Sequence, residues 1–154
     1  MSRLIDLGCG VADVYHRYHE IHGAMFGAAS FRLIVDALLG RRRHTYQEYA
    51  RTLSGLRDEL ATQEPEVAEL VAQGPVKATE REVQQVLLDY MRALDRAIAA
   101  LIVIFENLQQ DEAAYRDVGL DGRSGFLRDK LYYDQRLSDL ERLGTRLNRL
   151  FASY

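Results

Sequence analysis

At 154 residues, with 47% apolar and 28% charged side chains, the chain has the composition of one globular domain and not of a disordered segment. Its net charge of −3 offers no basic field to nucleic acid or an anionic bilayer, and its fully apolar stretch Ala97–Phe105 is about half of what a membrane crossing needs. A single cysteine, Cys9, excludes an intrachain disulfide, and the opening Met-Ser-Arg-Leu-Ile-Asp lacks a signal-peptide run, so a cytoplasmic protein is the expectation.

In chain order, Leu4, Leu7, Val11, Val14, Tyr18, Ile21, Met25 and Ala28 alternate steps of three and four, the spacing of one helix face. Gly8, Gly10, Gly23 and Gly27 interrupt it, each costing about 1 kcal/mol relative to alanine. The pattern predicts a helix over 11–38, with its extension back to residue 1 left open. Thr45-Tyr46-Gln47-Glu48 has the form of a capping box, in which hydroxyl and carboxylate satisfy each other's backbone N–H groups, and Tyr49, Leu53, Leu56 and Leu60 follow. Pro65 suits the first turn of a short helix carrying Val67, Leu70 and Val71, with Gly74-Pro75 as its stop. A second capping box, Thr79-Glu80-Arg81-Glu82, opens a run free of glycine and proline up to Gly119. Along it Val83, Leu87, Tyr90, Leu94, Ile98, Leu101, Phe105 and Leu108 form a stripe, and the middle is apolar on every side, as a helix buried all round must be. Gly119 is the expected left-handed terminator. After a turn over 121–125, Phe126, Tyr133, Leu137, Leu140, Leu147 and Phe151 mark the last helix, with Lys130 and Gly144 on the same stripe. No segment alternates with period two. The fold class expected is all-α, an antiparallel up-down four-helix bundle with one additional short helix, in a single domain over 1–154.

The long helix carries a hint about assembly. Gln85, Asp89, Arg92 and Arg96 give it a wet outer face, yet Ala99 and Val103 continue that face without polarity. The 117–125 connection or a second subunit would have to cover them. Ala99, Ile102 and Val103 are therefore the candidate interface of a homodimer, and self-association or an adaptor role is the leading functional expectation.

A binding role is the alternative. His19 and His22 share a helix face with Tyr15 and Phe26 and would hold a metal, cofactor or apolar ligand if groups from another helix converged on them. Cys9, Asp13, His16 and Glu20 form a column on the opposite face, with metal-ligand residue types but an equally good reading as solvated surface. Gly23, Gly27 and Ser30, with Ala24 and Ala28, make a small-residue surface suited to close helix packing or to a ligand notch. Arg41-Arg42-Arg43-His44 would offset the dipole at the C-terminus of the first helix or grip an anion. Tyr18, Tyr49 and Tyr90 fall on core stripes, whereas Tyr132 cannot share the buried face of Tyr133. Asp89 and Glu106 read as solvated or paired carboxylates. No Gly-x-Ser-x-Gly, Walker loop, His-Glu-x-x-His or paired Glu-x-x-His motif occurs.

One nine-residue stretch invites a family comparison. Leu4-Ile-Asp6-Leu-Gly8-Cys-Gly10-Val-Ala12 resembles the first motif of S-adenosylmethionine-dependent methyltransferases, where an apolar strand runs into Asp-x-Gly-x-Gly-x-Gly. Asp6, Gly8 and Gly10 match, and Ala12 stands at the third glycine. Phe31–Asp36 loosely resembles the following strand with its ribose-binding acid. The resemblance implies S-adenosylmethionine binding through Asp6, Gly8 and Gly10 on a strand–loop–helix, and hence a parallel sheet, for which the remaining sequence supplies no strands.

Overall fold

A computed structural model of the protein describes residues 2–27, 31–74 and 77–153, and within them the fold is all-α. Five helices follow one another: α1 (Ser2–Phe26), α2 (Phe31–Leu38), α3 (Arg42–Gln73), α4 (Ala78–Arg116) and α5 (Gly125–Ala152). None of them is long and apolar enough to cross a membrane.

The apolar stripes read from the sequence are the core. Leu4, Leu7, Val11, Val14, Tyr18 and Ile21 of α1 are buried, as is every stripe position of α4 from Val83 to Leu108. α4 is the central element, clasped by α3 on one side and α5 on the other. Side-chain pairs fix the directions. Arg57 meets Asp95 at 2.8 Å and Glu64 meets Arg92 at 3.1 Å, so α3 and α4 are antiparallel. Glu82 with Arg146 (2.8 Å) and Asn107 with Asp129 (3.5 Å) show the same for α4 and α5. Arg3 with Glu66 (3.4 Å) and Arg17 with Glu59 (2.6 Å) do so for α1 and α3.

Several local expectations need correction. The predicted helix over 11–38 is interrupted after Phe26, at Gly27, where a Cβ would sit 2.3 Å from the Gly23 carbonyl oxygen, and α2 starts afresh at Phe31. The short helix of the fold is thus α2. The segment after Pro65 is instead the end of α3, which tolerates the proline in its interior despite the missing N–H. Gly74 ends α3 with φ 71°, as expected of a glycine stop. Pro75, Ala28 and Ser30 lie outside the described residues.

Neither capping box forms. α3 begins at Arg42, and the Thr45 hydroxyl, buried inside its first turn, donates to the carboxylate of Asp36, tying α2 to α3. α4 begins at Ala78 behind Lys77, which supplies no side-chain cap, and Glu82 reaches Arg146 on α5. Gly119 does not end α4 either. That helix kinks at Asp111 (φ −157°, ψ 88°), whose carboxylate then accepts from the Ala114 N–H at 3.1 Å, capping a last short turn that stops at Arg116. Left-handed backbone falls instead at Gly122, inside the turn. Ser124 caps α5, its hydroxyl accepting from Leu127 N–H at 3.0 Å.

The arginine cluster also moves. Arg42, Arg43 and His44 sit in the first turn of α3, the positive end of its dipole and not the C-terminal end of the first helix. Nearby carboxylates offset the clash: Asp36 faces Arg41 at 3.8 Å, Glu112 faces Arg42 at 3.2 Å and Glu48 faces His44 at 3.3 Å.

Candidate functional site

α1 lies against α3 and α4, but no described Cα of α1 comes within 8 Å of one on α5. The two helices are joined by side chains alone. At one end Tyr133 of α5, fully buried, inserts among α1 residues: its hydroxyl meets the Tyr18 hydroxyl and, at 2.6 Å, Nδ1 of His22. Phe26 stacks on the Tyr133 ring with centroids 5.7 Å apart. At the other end Phe151 reaches the backbone at Gly8, where an added Cβ would meet its ring at 3.4 Å. Between these two ties α1 and α5 stand apart over a groove of about 720 Å³.

Tyr15, His19, His22 and Phe26, the face singled out from sequence, do come together. Tyr15 stacks on His19 at 5.5 Å, His19 on His22 at 5.8 Å, and His22 leans on Phe26 at 5.3 Å, a ladder of rings up one side of α1. What converges from the other helix is not a ligating carboxylate but Tyr133 and Lys130, whose ammonium lies 4.6 Å from the centre of the Phe26 ring and 2.5 Å from Asp134. Among the described residues no three His, Cys, Asp or Glu side chains are arranged to hold a metal.

Burial orders the protons of this network. Desolvation pushes the Tyr18 phenol up to about 12 and Tyr133 higher still, so both stay neutral and act as O–H donors. Desolvation, with the neighbouring His19 and Lys130, pulls His22 below the usual imidazole range of 6.5. With His22 neutral and its proton on Nε2, Nδ1 accepts from Tyr133 and Tyr18 donates to Tyr133. Every proton in the line has an acceptor.

The column on the other face of α1 is split. Asp13 turns to Arg17 at 2.8 Å, and Glu20 is exposed, whereas Cys9 and His16 line the groove. The groove's inner wall is Val11 and Leu87 with the rings of Tyr15 and Tyr90, which meet at 6.4 Å. Tyr90 is 8% exposed, and its hydroxyl, bonded to no described residue, is open to the groove. Burial raises its pKa too, so it faces the groove as a neutral phenol. α5 contributes Leu140, Glu141, Gly144 and Thr145. Gly144, which falls on the apolar stripe of the last helix, admits the Tyr90 ring; a Cβ there would stand 3.2 Å from it.

Asp6, Gly8 and Gly10 are ordinary helical positions within α1, and Phe31–Asp36 is helix α2. Gly8 faces Phe151, while Gly10 faces Gln63 of α3, where a Cβ would meet the amide oxygen at 3.0 Å. With the two glycines turned to different neighbours and no strand among the described residues, these residues do not form the cradle that the methyltransferase resemblance implies. The candidate interface on α4 is uneven. Ile102 is buried, Ala99 half-buried, and Val103 is 44% exposed.

Residues that sequence reading had assigned to packing carry the site. Tyr133, Tyr90 and Gly144 all sat on predicted core stripes, and the signal that could have separated them was their polar or missing side chain on an otherwise apolar face. No protein-family model matches the sequence, no curated protein matches it, and no solved structure matches the fold.

Proposed function

We propose that the protein binds a small organic molecule in the groove between α1 and α5. The observation that carries this reading is the groove itself, about 720 Å³ between two helices that meet only through side chains at its ends and floored by the Tyr90 ring, whose hydroxyl opens on it. A hydroxyl open to a cavity is free to bond a polar atom of a molecule seated there in place of water. The groove's volume falls in the range of ligand pockets, and its walls are largely apolar and aromatic with few polar groups, as such sites are. The His19, His22 and Phe26 ladder stands beside it and fixes the distance between the two helices through Tyr133.

Native mass spectrometry of freshly purified protein tests the reading. Extra mass on each chain, lost in Ala12→Trp, supports it, since Ala12 lines the groove and an indole there would occupy it. Bare mass in the wild type, with no thermal stabilisation by apolar aromatic compounds at millimolar concentration, would sink it.

Self-association is the second reading, and a separate surface favours it. Val103 of α4 and Leu127, Leu131 and Tyr132 of α5 are each about half exposed or more. The Asn107–Asp129 pair sets Val103 near the level of Tyr132 on the neighbouring helix. Val103→Asp should convert a dimer to a monomer at tens of micromolar without loss of helicity, and sedimentation showing the same assembly in both proteins would reject that surface.

A further inference from the structure

The chemistry of the groove says which charge its occupant carries. Among the described residues no lysine or arginine lines it. Its one carboxylate is Glu141, exposed on the α5 wall and without an ion pair or hydrogen bond from its side chain to any described residue. Lys130, at the Tyr133 tie, is already held by Asp134 and the Phe26 ring. The same lining presents aromatic rings, Tyr15 and Tyr90 on the inner wall and Phe151 at the Gly8 end. Ring faces carry negative potential and attract organic cations, and a free carboxylate adds to that attraction. An anionic ligand would find no guanidinium or ammonium to receive it.

We infer that the groove selects a hydrophobic organic cation: an aromatic or branched apolar body seated on Tyr15 and Tyr90, carrying an amine directed to Glu141. The Tyr90 hydroxyl accepts from the ammonium N–H or donates to a polar atom beside it. This inference rests on the ligand-binding reading above and sharpens it, and its failure is distinguishable from the failure of that reading.

The test uses three compounds with one body. 1-Naphthylmethylammonium, 1-naphthylmethanol and 1-naphthylacetate are titrated into the full chain by calorimetry, and into Glu141→Gln and Tyr90→Phe. The ammonium compound should bind tightest, roughly fivefold or more ahead of the alcohol, the scale of one cation–π or exposed ion-pair contact, with the acetate weakest. Glu141→Gln should erase the lead of the ammonium while leaving the alcohol unchanged. Tyr90→Phe should weaken the ammonium compound without lowering thermal stability, because the lost hydroxyl has no partner in the protein. Equal binding of ammonium and alcohol, or an ammonium preference untouched by Glu141→Gln, overturns the charge assignment and leaves the groove as a ligand site. No binding of any of the three, in wild type and variants alike, overturns the site with it.

Discussion

Replacing Tyr133 with phenylalanine removes one oxygen from the place where α1 and α5 are joined, and the hydrogen-bond line makes its cost unequal to that of the neighbouring tyrosine. With the His22 proton on Nε2, Tyr18 donates to Tyr133 and Tyr133 donates to Nδ1 of His22, the arrangement that gives each phenolic proton an acceptor. Tyr133→Phe therefore orphans a fully buried Tyr18 hydroxyl and a half-buried imidazole nitrogen. A buried hydroxyl left unsatisfied costs about 1–3 kcal/mol, and the nitrogen, nearer to water, adds less than that, for a total of about 2–3 kcal/mol. Tyr18→Phe removes only the outer donor and leaves the Tyr133–His22 bond intact, so it should cost about 1 kcal/mol. For a chain of this size 1 kcal/mol corresponds to roughly 2–4 °C, so Tyr133→Phe should melt about 4–12 °C below wild type and Tyr18→Phe only about 2–4 °C. Urea unfolding at pH 7.5 gives the free energies directly. The double variant should cost less than Tyr133→Phe alone, since Tyr18 then has no buried hydroxyl to orphan. Equal losses from the two single variants, or strict additivity in the pair, would refute the assigned direction of the line.

The same network predicts a pH response. His22 in the folded protein lies below 6.5, so on acidification the unfolded chain takes up the proton first; its contribution is intact above that value and is lost as pH falls through the folded one. His22→Asn, which keeps an acceptor near Nδ1 but does not titrate, should flatten the loss of stability between about pH 7 and 5; unfolding curves of the two proteins that stay parallel over that window would contradict this. His19, Lys130, Asp134 and Glu141 surround His22 and remain in both proteins, so the difference isolates the one imidazole. The two glycines near the end of α1 should behave oppositely. Gly23→Ala enters open space within a helix and should raise stability by up to about 1 kcal/mol, whereas Gly27→Ala drives a Cβ onto the Gly23 carbonyl and should lower it; equal signs in thermal melts would contradict that geometry. Asp111→Ala should fray the last turn of α4, costing about 1 kcal/mol as lost caps do, and hydrogen exchange at Ala114 should rise while that at Leu101 stays unchanged.

How far the sequence carried the reading differs by the kind of order involved. Stripes such as Val83 to Leu108 were legible because a buried helix face repeats every three or four residues whatever it packs against. Helix ends were less so. Thr45 reads as a cap by its spacing to Glu48, yet a buried Asp36 nine residues earlier competes for its hydroxyl and wins, a tertiary contact that no local pattern encodes. Pro65 reads as a start, but burial of Leu60 and Val67 on either side holds α3 helical through it. Gly27 reads as one more tolerated flaw beside Gly23, and only the path of the backbone separates the glycine that breaks the helix from the one that does not.

The groove was the hardest feature to foresee, because it exists through a contact that is not made. Each of its walls is a normal helix face, and α5 keeps few fully buried residues besides Tyr133, Leu140 and Leu147. A bundle that closed α1 onto α5 would bury more, so what keeps them apart matters. The two ties are bulky rings, Tyr133 wedged among Tyr18, His22 and Phe26 at one end and Phe151 against the Gly8 backbone at the other. The gap between them is floored by Tyr90, for which Gly144 has made room. An alanine at Gly144 would press on that ring from 3.2 Å and force it toward the cavity, so the missing side chain on α5 and the unpaired hydroxyl on α4 form one arrangement. That dependence gives the polar group and the space around it a common cause.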